Sequence, residues 1–209
     1  MKVNEIFLSI QGEGIYTGFP TIFIRFSGCN LRCSYCDTVY AYDEGTEMEP
    51  FQVYDEIKKY CYKRVCLTGG EPLLQTELKR LLDILHGYMI TIETNGSIPV
   101  NSIERAYNQY FVLDMKCPSS GFSDKMFFDN FDFLGEKDEV KFVIASGEDY
   151  EWAKDIIDKY YKAGIITFSP VFGKIQYSDI VEWILKDRLN VRFQLQLHKL
   201  IWDPGKRGV

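Results

Sequence analysis

The sequence lacks the features that would place it in several large classes of protein. No apolar run approaches the roughly 20 residues that a membrane-spanning helix needs. The chain does not open on a charged start followed by an apolar run and a small-residue cleavage site, so we expect no signal peptide and a cytoplasmic protein. Acidic residues outnumber basic ones by 30 to 24, which disfavours a nucleic-acid-binding surface. We therefore expect small-molecule chemistry, without a membrane or nucleic-acid partner.

A fourth cysteine is missing from the place where a metal site would need it. The stretch "SGCNLRCSYCDT" (27–38) carries Cys29, Cys33 and Cys36, and the two histidines of the chain are single and distant. A structural zinc site needs four ligands, usually in paired spacings. A disulfide is disfavoured in a reducing cytoplasm. The residues alone leave two alternatives open: zinc completed by a remote histidine, or an iron–sulfur cluster with one open iron.

The other three cysteines are scattered among apolar neighbours. We predict that Cys61, Cys66 and Cys117 are small buried hydrophobic residues, the usual role of a free cysteine. Cys117 follows a predicted strand end, so a place in the wall of a pocket is the alternative for it.

Short apolar runs alternate with amphipathic helical patterns. Runs rich in β-branched and aromatic residues predict strands at 21–26, 64–69, 88–94, 110–116, 139–145, 164–170 and 191–197. They read as apolar on both faces, which is typical of a helix-covered parallel sheet. Helical patterns cover 50–61, 73–87, 149–164 and 176–187.

This alternation predicts one α/β domain over residues 1–209, with no linker or change of composition. About six β/α units are too few for a closed eightfold barrel, so we predict a partial, open β/α barrel. A doubly wound open sheet is the alternative. Both folds place the site at the carboxyl ends of the strands. Polar motifs follow the predicted strands there, among them the cysteine loop, "TGGEP" (68–72), "TNG" (94–96) and "SPVFG" (169–173).

The cysteine loop, with Tyr35 before its last cysteine and "TGGEP" one strand later, resembles the radical S-adenosylmethionine superfamily. The resemblance implies a [4Fe–4S] cluster held by Cys29, Cys33 and Cys36, the catalytic residues, with S-adenosylmethionine on its open iron. Electron transfer from the reduced cluster then cleaves a C–S bond of S-adenosylmethionine to give methionine and a 5′-deoxyadenosyl radical. The cofactor contacts that it implies are Tyr35, Gly69, Gly70, Glu71, Asn95, Lys116, Ser169 and Pro170. Many members carry Ser-Pro-Lys after the fourth strand. This chain reads Asp-Met-Lys-Cys-Pro over 114–118, which leaves the contact there open.

Nearly the whole chain resembles, more narrowly, the 7-carboxy-7-deazaguanine synthases. The matching motifs are "IQGEG", "FIRFSGC", "CDT", "TGGEPLLQ", "ETNG" and "QLHK". The family converts 6-carboxy-5,6,7,8-tetrahydropterin to 7-carboxy-7-deazaguanine with loss of ammonia, on the way to queuosine and other deazapurines. The resemblance implies a substrate-binding segment at 1–20, the cluster loop at 27–38 and a tail at 198–209. It also implies Mg²⁺ on Thr38, a homodimer, and flavodoxin or ferredoxin as electron donor. The substrate contacts that it implies are Ile10, Gln11, Gly12, Glu13, Arg25, Thr68, Glu93 and His198.

These residue types suit that substrate, and two of the predicted sites have a structural alternative. Gln11 offers both a donor and an acceptor to the pterin edge, and Arg25 can bind a carboxylate with two parallel hydrogen bonds. The alternatives are a surface salt bridge for Arg25 and a helix or turn cap for Asp37 and Thr38. Two rival functions remain: an activase that generates a glycyl radical on a partner protein, and a zinc-binding structural module. The tail has no helical pattern after the last strand, and we expect it to fold over or beside the substrate pocket.

Overall fold

The computed structural model describes residues 1–209, and its centre is a single sheet of nine strands. The strands are β1 (Lys2–Ile10), β2 (Pro20–Phe26), β3 (Thr46–Glu47), β4 (Arg64–Gly69), β5 (Met89–Thr94), β6 (Gln109–Met115), β7 (Glu139–Ile144), β8 (Ile165–Pro170) and β9 (Arg192–Phe193). Their order is β3-β1-β2-β4-β5-β6-β7-β8-β9. β1 is antiparallel to both β2 and β3, and every pair from β2 to β9 is parallel.

Five α-helices accompany the sheet: α1 (Pro50–Lys58), α2 (Leu78–Ile84), α3 (Gly147–Tyr160), α4 (Tyr177–Asp187) and the short α5 (His198–Ile201). Local signals fix two of their starts. Proline opens α1, where no donor is needed, and the Ser146 hydroxyl accepts the Asp149 N–H at 3.2 Å to begin α3. The crossovers from β5 to β6 and from β6 to β7 contain only 3₁₀ turns. None of the helices combines the length and the apolar character needed to cross a bilayer.

The strand order decides between the two predicted architectures. Each parallel strand lies beside the next one in the chain, with no point at which the order reverses. One hydrophobic core joins the sheet to α1, α2, α3 and α4, so these helices cover the same face. A doubly wound sheet has helices on both faces and a reversal of strand order. The partial, open barrel is therefore confirmed, with β3 and β9 as its unjoined edges.

The two faces of the sheet carry different side chains. On the helix side, strand residues such as Ile24, Leu67 and Ile92 pack with Ile57 of α1 and Ala153 of α3. The opposite face holds a small apolar cluster and a group of polar and charged side chains that alternate with the core residues. That polar group is Arg25, Thr68, Glu93, Asp114 and Lys141. The strands were predicted to be apolar on both faces. They are apolar on the face that the helices cover, but the other face is largely polar.

Other elements differ from the sequence prediction in identifiable ways. β1 was not predicted, and α5 occupies a tail that was expected to lack helix. β9 ends at Phe193. The Gln194 N–H still donates to the Phe168 carbonyl of β8 at 3.0 Å, but its side chain and the following residues bond to the N-terminal segment: Gln194 Nε2 donates to the Gly14 carbonyl at 3.0 Å, and the Leu197 N–H to that of Gly12 at 2.9 Å.

The predictions for the three scattered cysteines are only partly correct. Cys66 and Cys117 are fully buried, and burial raises the pKa of both thiols. Cys61 is exposed, because α1 ends before it and the chain turns there with a φ of 58°. Cys117 belongs to the main core, which excludes the pocket-wall alternative.

Candidate active site

One cavity of about 250 Å³ collects the polar ends of the parallel strands. Arg25 of β2, Thr68 of β4, Glu93 of β5, Asp114 of β6 and Lys141 of β7 all line it. The cysteine loop, the segment after β1 and the C-terminal tail complete its wall. The strand ends therefore meet at a single site, as the barrel topology predicts.

Most of the sequence-predicted site residues reach this cavity. Those that line it are Ile10, Gln11, Gly12, Glu13, Arg25, Cys29, Cys33, Tyr35, Cys36, Thr38, Thr68, Gly69, Glu93, Asn95, Lys116 and His198. Four predicted cofactor contacts lie behind the lining: Gly70, Glu71, Ser169 and Pro170. After β8 the lining positions are Val171 and Phe172, the residues that directly follow the two predicted there.

The three cysteines of the loop are free, partly buried and open to the cavity. Nowhere in the structure do three His, Cys, Asp or Glu side chains surround the position of a single metal ion. A structural zinc site needs four such ligands, so this arrangement disfavours zinc. The Leu31 N–H donates to Cys29 Sγ at 3.4 Å, and Asn95 Nδ2 approaches the same sulfur at 3.7 Å. Hydrogen bonds to the ligand sulfurs are a usual feature of iron–sulfur sites, so the loop fits such a cluster.

The diglycine of "TGGEP" allows β4 to end directly against the cysteine loop. A Cβ on Gly70 would lie 1.9 Å from the Gly28 carbonyl oxygen. Gly69 has a φ of 126°, which disfavours any side chain there. The Gly70 N–H donates to Phe26 O at 3.0 Å and the Glu71 N–H to Gly28 O at 2.7 Å. The motif therefore fixes the position of the loop that carries the cysteines.

Glu71 stabilises the wall of the cavity through hydrogen bonds inside the protein. Its fully buried carboxylate accepts the Leu73 N–H at 3.0 Å, the Thr94 hydroxyl at 2.8 Å and the Asn95 N–H at 2.7 Å. Burial raises the pKa of Glu71 despite these hydrogen bonds. Asn95, which is held in this way, does line the cavity beside Cys29.

Two residues among the predicted cofactor contacts carry a buried hydroxyl that has no partner in the protein. The Tyr35 hydroxyl and the Ser169 hydroxyl are both inaccessible and unbonded. Buried polar groups are nearly always hydrogen-bonded, so unpaired ones point to a missing ligand or water. Tyr35 lines the cavity, which makes it the stronger sign that a bound group completes this end of the site.

A buried ionic network, which no sequence motif indicated, lies in the cavity wall. Lys141 Nζ lies 2.9 Å from Glu13 Oε2 and 3.4 Å from Asp114 Oδ2, and Lys116 Nζ lies 2.9 Å from the same Asp114 oxygen. Burial alone would lower the pKa of Lys141, but the two carboxylates raise it well above its usual value. Burial would raise the pKa values of Glu13 and Asp114, yet both are lowered by these lysines. All four groups are therefore charged at neutral pH.

A second polar group joins the predicted substrate residues. The Gln11 amide donates to Glu93 Oε1 at 3.1 Å, and the Thr68 hydroxyl donates to Glu93 Oε2 at 2.9 Å. His198 packs on Gly12 so closely that a Cβ there would lie 2.2 Å from the ring Nδ1. Burial lowers the pKa of His198, although Glu13 opposes the shift.

The acidic end of the cysteine loop is also part of the wall. Thr38 precedes a short 3₁₀ turn, but its hydroxyl does not cap that turn and instead donates to Asp37 Oδ1 at 2.9 Å. Asp37 pairs with Lys199 at 2.5 Å. The Asp37 side chain is 47% exposed, and this ion pair outweighs the partial burial that would raise its pKa, so the pKa is lowered. The alternative of a helix cap for Thr38 finds no hydrogen bond to support it.

The C-terminal tail lies along the cavity, where the sequence analysis expected it. Pro204, Lys206 and Val209 line the wall. Arg207 anchors the tail, because its guanidinium lies 2.9 Å from Glu44 Oε2 and 3.8 Å from the ring centroid of Tyr40.

Comparisons with known proteins agree with this geometry. Residues 23–186 match the family model of the Radical SAM superfamily. The 7-carboxy-7-deazaguanine synthase of Clostridium acetobutylicum is 44% identical over 100% of this chain and 99% of its own length. The synthase of Chlorobaculum tepidum is 41% identical over 100% of this chain and 97% of its own length. That of Koribacter versatilis is 37% identical over the whole of both chains.

A solved structure confirms the fold. The crystal structure of QueE from Escherichia coli matches 94% of this chain and 94% of its own, with a TM-score of 0.78 and 23% identity. Superfamily membership brings a [4Fe–4S] cluster and S-adenosylmethionine as cofactors, which agrees with the three free thiols at the cavity. The chain belongs to the radical S-adenosylmethionine superfamily and, within it, to the family of 7-carboxy-7-deazaguanine synthases.

Proposed function

We propose that this protein converts 6-carboxy-5,6,7,8-tetrahydropterin to 7-carboxy-7-deazaguanine with loss of ammonia. The observation that carries the proposal is the content of one cavity: three free thiols of the cysteine loop, and an arginine whose terminal nitrogens make no bond to the protein. Only Nε of Arg25 is bonded, to Glu5 at 2.7 Å. When bound, the cluster and S-adenosylmethionine supply a carbon-centred radical beside the substrate.

The protein side chains divide between the two ligands in this proposal. Cys29, Cys33 and Cys36 hold the cluster, while Tyr35, Gly69, Asn95 and Lys116 contact S-adenosylmethionine. The free Nη1 and Nη2 of Arg25 bind the substrate carboxylate in a bidentate pair. Gln11, Glu13, Thr68 and Glu93, with Ile10, Gly12 and His198, bind the pterin edge and ring. A flavodoxin or ferredoxin supplies the electron, and the enzyme works as a homodimer in the cytoplasm.

Turnover without a partner protein separates this function from that of an activase. Anaerobically reconstituted enzyme, given S-adenosylmethionine, a chemical reductant and the tetrahydropterin alone, is expected to release 7-carboxy-7-deazaguanine and ammonia in equal amounts. An activase would cleave S-adenosylmethionine only with its protein substrate, and a zinc module would contain neither iron nor sulfide. Absence of the deazaguanine from a preparation with full iron and sulfide would refute the proposed reaction.

Thr38 is expected to make turnover sensitive to Mg²⁺. Magnesium keeps several water or substrate ligands, so one protein hydroxyl can suffice. Thr38 lines the cavity, and its hydroxyl caps no helix. Thr38→Ala should raise the Mg²⁺ concentration for half-maximal turnover by about tenfold. Cluster content should stay unchanged. The exposed Thr46→Ala in β3 is the matched control. Equal turnover in Mg²⁺ and in chelator would show that Thr38 binds no metal.

The tail is expected to retain substrate. Deleting residues 203–209 removes the part of the wall that Arg207 anchors to Glu44 and Tyr40. The KM for the tetrahydropterin should then rise by roughly tenfold, or about 1.4 kcal/mol of binding. Uncoupled cleavage of S-adenosylmethionine should increase because the opened site admits water. Arg207→Ala should reproduce part of the effect. Wild-type kinetics and coupling in the truncated enzyme would show that the tail has no such role.

A further inference from the structure

Glu5 lies directly opposite Arg25 in the antiparallel pair of β1 and β2. Its carboxylate Oε1 accepts a hydrogen bond from Arg25 Nε at 2.7 Å. The regular register ends at this pair, because the pairing shifts by one residue between Val3 and Glu5. Such bulges often re-aim a side chain at the edge of a site. At this last regular pair, the Glu5 carboxylate meets Arg25 at Nε and not at the two terminal nitrogens of the guanidinium.

Two aromatic residues, Tyr40 and Phe7, also restrict Arg25. The Tyr40 hydroxyl donates to Glu5 Oε1 at 3.0 Å, so one carboxylate oxygen joins Tyr40 to Arg25. The Arg25 guanidinium also lies 5.8 Å from the Phe7 ring centroid and 5.9 Å from that of Tyr40. The guanidinium of Arg207 in the tail also lies over the Tyr40 ring, 3.8 Å from its centroid. The Arg25 and Glu5 side chains are only 16% and 20% exposed, so water screens the pair weakly.

We propose that Glu5 is a positioning residue that holds Arg25 with both terminal nitrogens directed at the substrate carboxylate. The inference rests on the proposed function, because it takes Arg25 as the carboxylate partner. An unrestrained arginine has many rotamers, and fixing its Nε leaves a rigid fork of Nη1 and Nη2 for one planar anion. Preorganisation of this kind strengthens binding by removing the entropy cost of ordering the side chain. Glu5 therefore sets the preference for a carboxylated pterin without contacting it.

Equilibrium binding of two fluorescent pterins tests the proposal without turnover. Kd is measured for 6-carboxypterin and for pterin, which lacks the carboxyl group, on reconstituted enzyme without reductant. The ratio of the two constants reports the carboxylate contact alone. Wild-type enzyme should bind 6-carboxypterin more tightly, and Arg25→Met should abolish that preference.

Two substitutions at Glu5 separate position from charge. Glu5→Asp keeps the charge but withdraws the oxygen by one methylene, and it should lower the preference about tenfold while binding of pterin stays the same. Glu5→Gln keeps an oxygen in place without the charge, and its preference should stay within about threefold of the wild-type value. Glu47→Asp, at an exposed site in β3, is the control and should change neither constant.

The outcomes distinguish a failure of the Glu5 proposal from a failure of the proposed contact between Arg25 and the substrate. If Glu5→Asp keeps the wild-type preference, or loses affinity for both pterins equally, Glu5 does not position Arg25. If Glu5→Gln lowers the preference for 6-carboxypterin more than Glu5→Asp does, Glu5 acts through its charge and not by positioning Arg25, and the proposal is wrong. If Arg25→Met itself keeps the preference, the failure lies in the proposed substrate contact.

Discussion

Replacing Cys29, Cys33 or Cys36 with alanine should abolish both cluster binding and turnover. Each thiol lines the same cavity, and a cluster with one open iron has no spare protein ligand to lose. Iron and acid-labile sulfide should fall to background after anaerobic reconstitution. Cleavage of S-adenosylmethionine should drop by at least about 10⁴-fold, since this radical chemistry has no route around the cluster.

Cys61→Ala is the matched control for this series. Cys61 is a free and exposed thiol that does not line the cavity, so it is accessible to iron and sulfide during reconstitution. Its loss should leave iron content and turnover at the wild-type level. Full iron content in Cys33→Ala would contradict the assignment of the cluster to this loop.

Lys141→Met should have the second largest effect, on both activity and stability. The substitution leaves the Glu13 and Asp114 carboxylates buried without their shared cation, although Lys116 still neutralises part of Asp114. Removing one partner of a buried ion pair typically costs about 3–5 kcal/mol. Turnover should fall by at least about 100-fold, because Glu13 would no longer be held at the substrate edge. Cluster content should not change.

The pH dependence of the lost stability identifies its cause. In the wild-type protein the lowered pKa values of Glu13 and Asp114 contribute stability above the unfolded-state pKa values of these carboxyls, and acid removes it. Without Lys141, the burial of Glu13 is no longer offset by its ion pair, so the pKa of Glu13 rises, while Lys116 still pairs with Asp114. The Glu13 carboxylate then destabilises the variant at neutral pH, and protonation relieves this effect. The difference in free energy of unfolding should therefore shrink between pH 8 and pH 5.

Urea unfolding of Lys154→Met provides the comparison for Lys141→Met. Lys154 forms an ion pair with Asp187 at 2.6 Å, but this pair lies at the surface of α3 and α4. Its loss should cost at most about 1 kcal/mol. An equal cost for the two substitutions, or a Lys141→Met deficit that is independent of pH, would contradict the buried network.

Much of the fold could be predicted from the sequence, because buried parallel strands have a strong local pattern. β2, β4, β5, β6, β7 and β8 lie within one or two residues of their predicted ranges. β1 escaped prediction because it is a partly exposed antiparallel strand and its apolar run leads into the "QGEG" motif. Residues 194–197 look like a strand in sequence. Apart from the Gln194 N–H, which bonds to β8, they bond to Gly12, Glu13 and Gly14, at least 180 residues earlier.

The residues of the site could be predicted from the sequence where they belong to a recognisable motif. The cysteine loop, "QGEG" and Arg25 carry their chemistry in residue type and spacing, and the structure brings them to one cavity. Glu5 and Lys141 carry no such signal, because their roles depend on cross-strand register and on the alternation of side chains across the sheet. For Glu71, the local motif did not show that its carboxylate would be fully used inside the protein.

A crystal structure of the anaerobic enzyme with S-adenosylmethionine and 6-carboxy-5,6,7,8-tetrahydropterin tests the central claim most directly. We expect a [4Fe–4S] cluster on Cys29, Cys33 and Cys36, with the substrate carboxylate on Nη1 and Nη2 of Arg25 and Glu5 still on Nε. The pterin edge should meet Gln11 and Glu13. A substrate bound elsewhere in the cavity, with its carboxylate away from Arg25, would contradict this account of the site.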